Sequence, residues 1–198
     1  MAEWIYGNRY LSESEMTNNA DIIKSFLIER GWTLNAICGI LGNMQAESTI
    51  NPAIWQNLDA GNMSVGFGLV QWTPATNFTN WADENGFNRE DGYAQLKWID
   101  EETERFGQWI QTAAYPIAFS DFKVSPASAD YLASAFLKNF ERAGVEVEEL
   151  RKANARAWST YFNSGGGGSS DTPSTPTPRP NIKRLSKLLL MAIASEID

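Results

Sequence analysis

The stretch LNAICGILGNMQAESTINP, residues 34–52, decides how this chain is read. Its first half is apolar at helical spacing, with Ile37, Ile40, Leu41 and Met44 on one stripe and Thr33 placed to cap the start. Its second half turns small and polar around a single carboxylate. Glu47 follows Met44 by three residues and Ile40 by seven, which puts it at the edge of the apolar face. An acid there is disfavoured in its charged form, so it can hold a proton near neutral pH and donate it. The competing reading is a solvated glutamate at a helix end, or one bonded to a neighbouring backbone amide.

Outward from this segment the pattern stays helical. Thr17 or Asn18 is placed to cap a helix through ADIIKSFLIER, and Thr73-Pro74 and Ser125-Pro126 each set a hydroxyl before a proline where a helix opens. A long helix is expected over about residues 91–113, and EVEELRKANARAWSTYF makes the last one. Only residues 49–72, rich in Asn, Gly and Ser, suggest strands and turns. The expected fold is mainly α, a helical lobe with a small strand-and-turn region.

Residue usage removes whole classes of chemistry. The chain has no histidine and one cysteine, Cys38, so it holds no Ser-His-Asp triad, no Cys-His dyad, no intrachain disulfide and no His-bearing zinc site. Cys38 sits on the apolar stripe and reads as a buried small hydrophobe. Acid-base work falls to carboxylates. A net charge of −8 argues against nucleic acid as a partner, because phosphate binding relies on Lys and Arg. No apolar run approaches the roughly 20 residues that span a bilayer, and the segment after Met1 lacks the basic leader and apolar run of a secretory signal.

Charge and composition also divide the chain. Residues 1–163 read as one domain, and SGGGGSSDTPSTPTPRP, residues 164–180, as a Gly/Ser-rich then Pro/Thr-rich linker. Residues 181–198 read as a short amphipathic helix with Lys183, Arg184 and Lys187 near its start. Three uses of that helix compete: docking on the body, self-association as a small coil, and attachment to an anionic surface.

Beyond Glu47 the chain continues STINPAIWQNLDAGNMSVGFGLVQWTP. Glu47-Ser48, Asn51-Pro52 and Gly68-Leu69-Val70-Gln71, in that order, resemble the signature of the lysozyme and lytic transglycosylase superfamily. GNMQAES, the NPxxWQN pattern and GFGLVQWTP are similar, more closely, to phage tail lysozymes, and the likeness covers most of residues 10–163. The resemblance implies a lysozyme-like α+β fold with a cleft between the helical lobe and the strand-and-turn region. It implies cleavage of the peptidoglycan strand between MurNAc and GlcNAc, with Glu47 as general acid and no metal or organic cofactor. It implies a phage protein made in the host cytoplasm, acting at the wall as an endolysin after release or as part of the tail.

Under that resemblance Ser48, Trp55, Phe67, Gly68, Gln71 and Trp72 form a substrate-binding set, with Gly68 letting backbone approach a sugar and Gln71 offering both donor and acceptor. Trp55 and Trp72 either face a pyranose or pack in the core, whereas Trp98, Trp109 and Trp158 lie on helical stripes and read as packing. Asp59, 12 residues after Glu47, is the candidate second carboxylate, and its alternative is a turn residue in Asp-Ala-Gly. With a second carboxylate the outcome follows from its distance to the acid, about 5 Å for retention and ~6.5–9.5 Å for inversion. Without one, the sugar's own 6-hydroxyl closes on the sugar carbon that loses the glycosidic oxygen and leaves an anhydro end. Glu141, late in a helix beside Arg142, either lines the cleft or makes a structural charge pair. A noncatalytic wall-binding module that kept the fold is the alternative of a different class.

Overall fold

The computed structural model describes residues 3–142 and 147–165; the expected 181–198 helix, and all but the first two residues of the 164–180 linker, lie outside them. Among the described residues the chain forms seven α-helices: α1 Glu13–Ile28, α2 Leu34–Ser48, α3 Thr76–Glu84, α4 Gly92–Lys97, α5 Phe119–Lys123, α6 Ala129–Phe136 and α7 Glu148–Asn163. The mainly α, lysozyme-like expectation holds.

α2 is the axis of the fold. Thr33 caps it as expected, its side chain accepting from the Ala36 amide, and the stripe Ile37, Ile40, Leu41 and Met44 is fully buried. The burial goes further than one stripe, because Cys38, Gly39, Gly42, Asn43 and Ser48 are also inaccessible and α6 and α7 pack along the same helix. Burial pushes the Cys38 thiol up to about 12, in keeping with a core residue and not a nucleophile.

Two glycines decide how closely the neighbours approach. A Cβ at Gly42 would stand 2.4 Å from the Arg151 carbonyl oxygen and 2.9 Å from the Ala155 amide nitrogen of α7. A Cβ at Gly39 would stand 3.0 Å from the Ala133 nitrogen of α6. Two flat positions one turn apart let two backbones lie against α2, and this seats α7 over the end of α2 that carries Glu47.

Several element starts differ from expectation. α1 opens at Glu13, not after Thr17 or Asn18, because Ser12 and Glu15 form a complete capping box that satisfies the first amides. Thr17 instead lies within the helix and donates to the Glu13 carbonyl. α6 takes Ser128 as its cap, while Ser125 accepts from the Ala127 amide in the preceding turn. α3 begins at Thr76 with no side-chain cap, three residues after Thr73.

The helix expected over 91–113 is much shorter. α4 passes into a wider π-type turn, Trp98–Glu102, and the chain then turns at Gly107, whose φ of 63° lies in the left-handed region. In residues 49–72 no strand forms among the described residues; isolated bridges join Phe67 to Trp55 and to Trp72. Positive φ at Thr49, Ile50, Asn57, Leu58, Gly61, Gly68 and Gln71 turns the chain repeatedly, so this region is an irregular loop.

Candidate active site

Glu47 lies in the last turn of α2, with about a fifth of its side chain accessible. It pairs with Arg151 of α7, which is 5% exposed. Arg151 also donates through Nη1 to the Asn43 side-chain oxygen at 3.3 Å and backbone oxygen at 3.4 Å. Asn43 in turn donates to the carbonyls of Gly39 and Ala133 at 2.9 and 3.0 Å, which ties α2 to α6. Gly39, Asn43 and Glu47 recur every four residues and so line one face of α2, the first giving space, the second a tether and the third a charge. A guanidinium taken out of water needs its anion, so the pair fixes α7 and Glu47 together.

Glu141 ends a π-type turn, Leu137–Glu141, that extends α6. Arg142 follows with a φ of 50°, and its guanidinium donates to the Gln108 carbonyl at 2.6 Å. Part of the Glu141 side chain reaches solvent, yet its Oε1 is sealed off without a hydrogen-bond partner. Burial holds this carboxyl well above the usual carboxylate range, and the charge of Glu47 adds to the effect, while Arg151 and Arg142 oppose it. The Nε of Arg151 is likewise buried and unpartnered. Glu47 and Arg151 thus pair between α2 and α7, and the charges of both act on the carboxyl of Glu141 at the end of the turn that extends α6.

The remaining expected site residues are placed as follows. Ser48 is fully buried, and its Oγ lies 2.9 Å from the Met44 carbonyl and 2.8 Å from the Leu69 carbonyl. It therefore joins the end of α2 to the Gly-Leu-Val-Gln loop. Trp55, Phe67 and Trp72 are 8%, 1% and 3% exposed. Trp55 packs on Phe67, and Trp72 on Phe78 and Trp98, with ring centroids 4.6 to 5.3 Å apart. These rings face protein on nearly every side. Gly68 has a φ of 79°, and a Cβ there would strike the Gln95 amide. Gln71 donates to the carbonyls of Ile54 and Gly68 at 3.2 and 3.0 Å and so closes its own loop. Asp59 sits on an exposed turn, its Oδ2 accepting from the Asn62 amide at 2.7 Å. The carboxyl brought to Glu47 is Glu141.

Sequence reading missed Arg151, Asn43 and Gln95. Gln95 is fully buried, accepts from the Leu69 amide and donates to the Pro52 and Arg89 carbonyls, holding the loop that faces Glu47's helix end. Asn43 carried a signal, the four-residue spacing with Glu47. Arg151 carried none, because it looks like one more charge on EVEELRK and its partner is 104 residues away.

A helical body whose central helix ends in a carboxylate, bonded through Ser48 to a glycine-rich loop and paired with an arginine of the last helix, has the mainly α, lysozyme-like fold. Residues 18–162 match the phage tail lysozyme family, and the chain belongs to that family. Among similar proteins is Morphogenesis protein 1 of Bacillus phage B103, 53% identical over 151 residues. That match takes in 76% of this chain and 41% of the relative, so the chain spans less than half of the relative's length. Among the described residues no helix is long and apolar enough to cross a membrane.

Proposed function

We propose that this chain is a phage-borne glycosidase that cuts the glycan strand of bacterial peptidoglycan between MurNAc and GlcNAc, with Glu47 as general acid. The observation that carries this reading is the placement of Glu47: an acid at the end of the most buried helix, part open to solvent, in one cluster with a buried guanidinium and a second, largely sealed carboxyl. Proton donation to the glycosidic oxygen needs a carboxyl that touches the groove on one side and a charge-regulating environment on the other. Membership of the tail lysozyme family supports peptidoglycan as substrate. The morphogenesis name of the phage B103 relative favours action as part of the particle over release as an endolysin.

Asp59 fits the second role. It is exposed on the loop that packs against the Glu47 helix, and an exposed carboxylate can orient the water that attacks the sugar carbon. Gln71, Trp55 and Trp72 brace this loop, with Trp55 the most accessible of the three buried aromatic residues, Trp55, Phe67 and Trp72. Glu141 is the carboxyl whose charge couples to that of Glu47, which supports closure by the sugar's own 6-hydroxyl as the second reading, with Glu47 as the essential acid.

Mass spectrometry of muropeptides released from purified walls tests both. Reducing MurNAc ends are expected from hydrolysis, and loss of activity in Asp59→Asn goes with them. Anhydro ends with an active Asp59→Asn assign transglycosylation. Cleaved peptide bonds, or full clearance by Glu47→Gln, overturn the assignment.

A further inference from the structure

The cluster behind Glu47 contains one buried acceptor and one buried donor that nothing satisfies: Oε1 of Glu141 and Nε of Arg151. Buried polar atoms without partners are costly, and two of opposite kind in one cluster point to a second arrangement in which they are used. The charge count points the same way. Glu47 and Glu141 share one deeply buried cation, Arg151, so full ionisation of both acids leaves one negative charge uncompensated. Arg142 faces the cluster from the same turn but spends a guanidinium hydrogen on the Gln108 carbonyl.

We propose that Glu141 is a positioning residue for Glu47: the two carboxyls share one proton against Arg151, and Arg151 shifts its hold from Glu47 to Glu141 as the proton crosses to Glu47. This inference rests on the reading of Glu47 as the general acid. In the state seen here Arg151 pairs with Glu47, and burial favours the protonated form of Glu141. When the proton moves, the O–H bond on Glu141 breaks and one forms on Glu47. Glu141 becomes the anion, and Nε of Arg151 gains the acceptor it lacks. Glu47 then gives its proton to the leaving glycosidic oxygen, returns to Arg151 as a carboxylate, and Glu141 takes a proton from solvent. No electrons change hands, and no co-reactant besides the substrate and a solvent proton is consumed.

The same device explains why a catalytic acid stands against an arginine. A guanidinium by itself favours the charged form of the carboxyl it pairs with. A second carboxyl that competes for the same guanidinium removes that bias at the moment of transfer, since the cluster's total charge does not change.

The test uses the full chain with 13C-labelled glutamate carboxyls, titrated by NMR, beside wall clearance measured across pH. Two coupled titrations are expected in the wild type, one far above the ordinary carboxyl range. In Glu141→Gln the high titration should vanish, the alkaline limb of the clearance profile should move down by about one pH unit, and clearance near neutrality should fall roughly ten-fold with wall binding unchanged. Glu47→Gln reads the same coupling from the other side, lowering the titration of Glu141. A Glu141→Gln variant that folds and clears walls with an unmoved limb overturns the proposal, as does a uniform loss at every pH, which marks a structural role. Coupled titrations in a chain that never clears walls would overturn the glycosidase reading while leaving the shared proton in place.

Discussion

Glu47 gains its chemistry from what α6 and α7 bring to it. Its own sequence neighbourhood supplies a helix end and an apolar edge; Arg151 and Glu141 arrive from 104 and 94 positions away. Glu47→Gln keeps the shape and removes the carboxyl group, so under the proposed function clearance of purified walls is expected to fall about 10²- to 10⁴-fold, read by turbidity with a pull-down showing retained binding. Arg151→Met leaves Glu47 and Glu141 without their buried cation. Removing one partner of a buried pair costs about 3–5 kcal/mol, and because Glu47 retains water contact the expected loss is nearer 2–3 kcal/mol by urea unfolding. The position of Glu47 was legible from the spacing of Ile40, Met44 and Glu47 and from the motifs after it. Its pairing was not, since an ion pair across helices leaves no periodic trace in either.

At the level of elements, α2 is held by close backbone approach. Gly42→Ala would push a methyl into backbone atoms of α7, which cannot rotate away as a side chain would. A loss of about 3 kcal/mol is expected from such overpacking, with activity falling too because the shifted strip of α7 carries Arg151. Gly39→Ala meets the α6 backbone at 3.0 Å and should cost less. Thermal melts of the two variants rank them. At α1, Ser12→Ala removes one half of the capping box and is expected to cost about 1 kcal/mol with catalysis unchanged. The capping box was written in the sequence as Ser-x-x-Glu, yet Thr17 and Asn18 drew the start inward, because apolar periodicity begins only after them. The wide turns at Trp98–Glu102 and Leu137–Glu141 were not legible, since they depend on the packing of Trp98 and Phe140 against the core.

For the molecule as a whole, Glu141 links stability to pH. Its folded carboxyl keeps its proton over a range in which the unfolded chain has lost it, so this contribution is full below about pH 4.3 and declines as pH rises through the folded value. Asp21, raised by burial, adds the same sign. Urea midpoints are expected to fall from about pH 5 to about pH 8 in the wild type and to fall less in Glu141→Gln. Glu15 works in the opposite direction: the Arg9 bond, aided by Ser12, pulls it down to about 2, so its contribution is present above the ordinary carboxyl value and is lost on acidification toward that point. The sequence by itself determined a mainly helical body, the exclusion of histidine- and disulfide-based chemistry, and the ordered Glu47, Asn51-Pro52 and Gly68-to-Gln71 motifs, because composition, period and spacing are local properties. Tertiary structure alone decided that Ser48 and Gln71 bond to backbone carbonyls, that the rings of Trp55, Phe67 and Trp72 are buried, and that Glu47 pairs with Arg151. Burial and charge are set by which distant backbones come together, and here two glycines on α2 set how close they come.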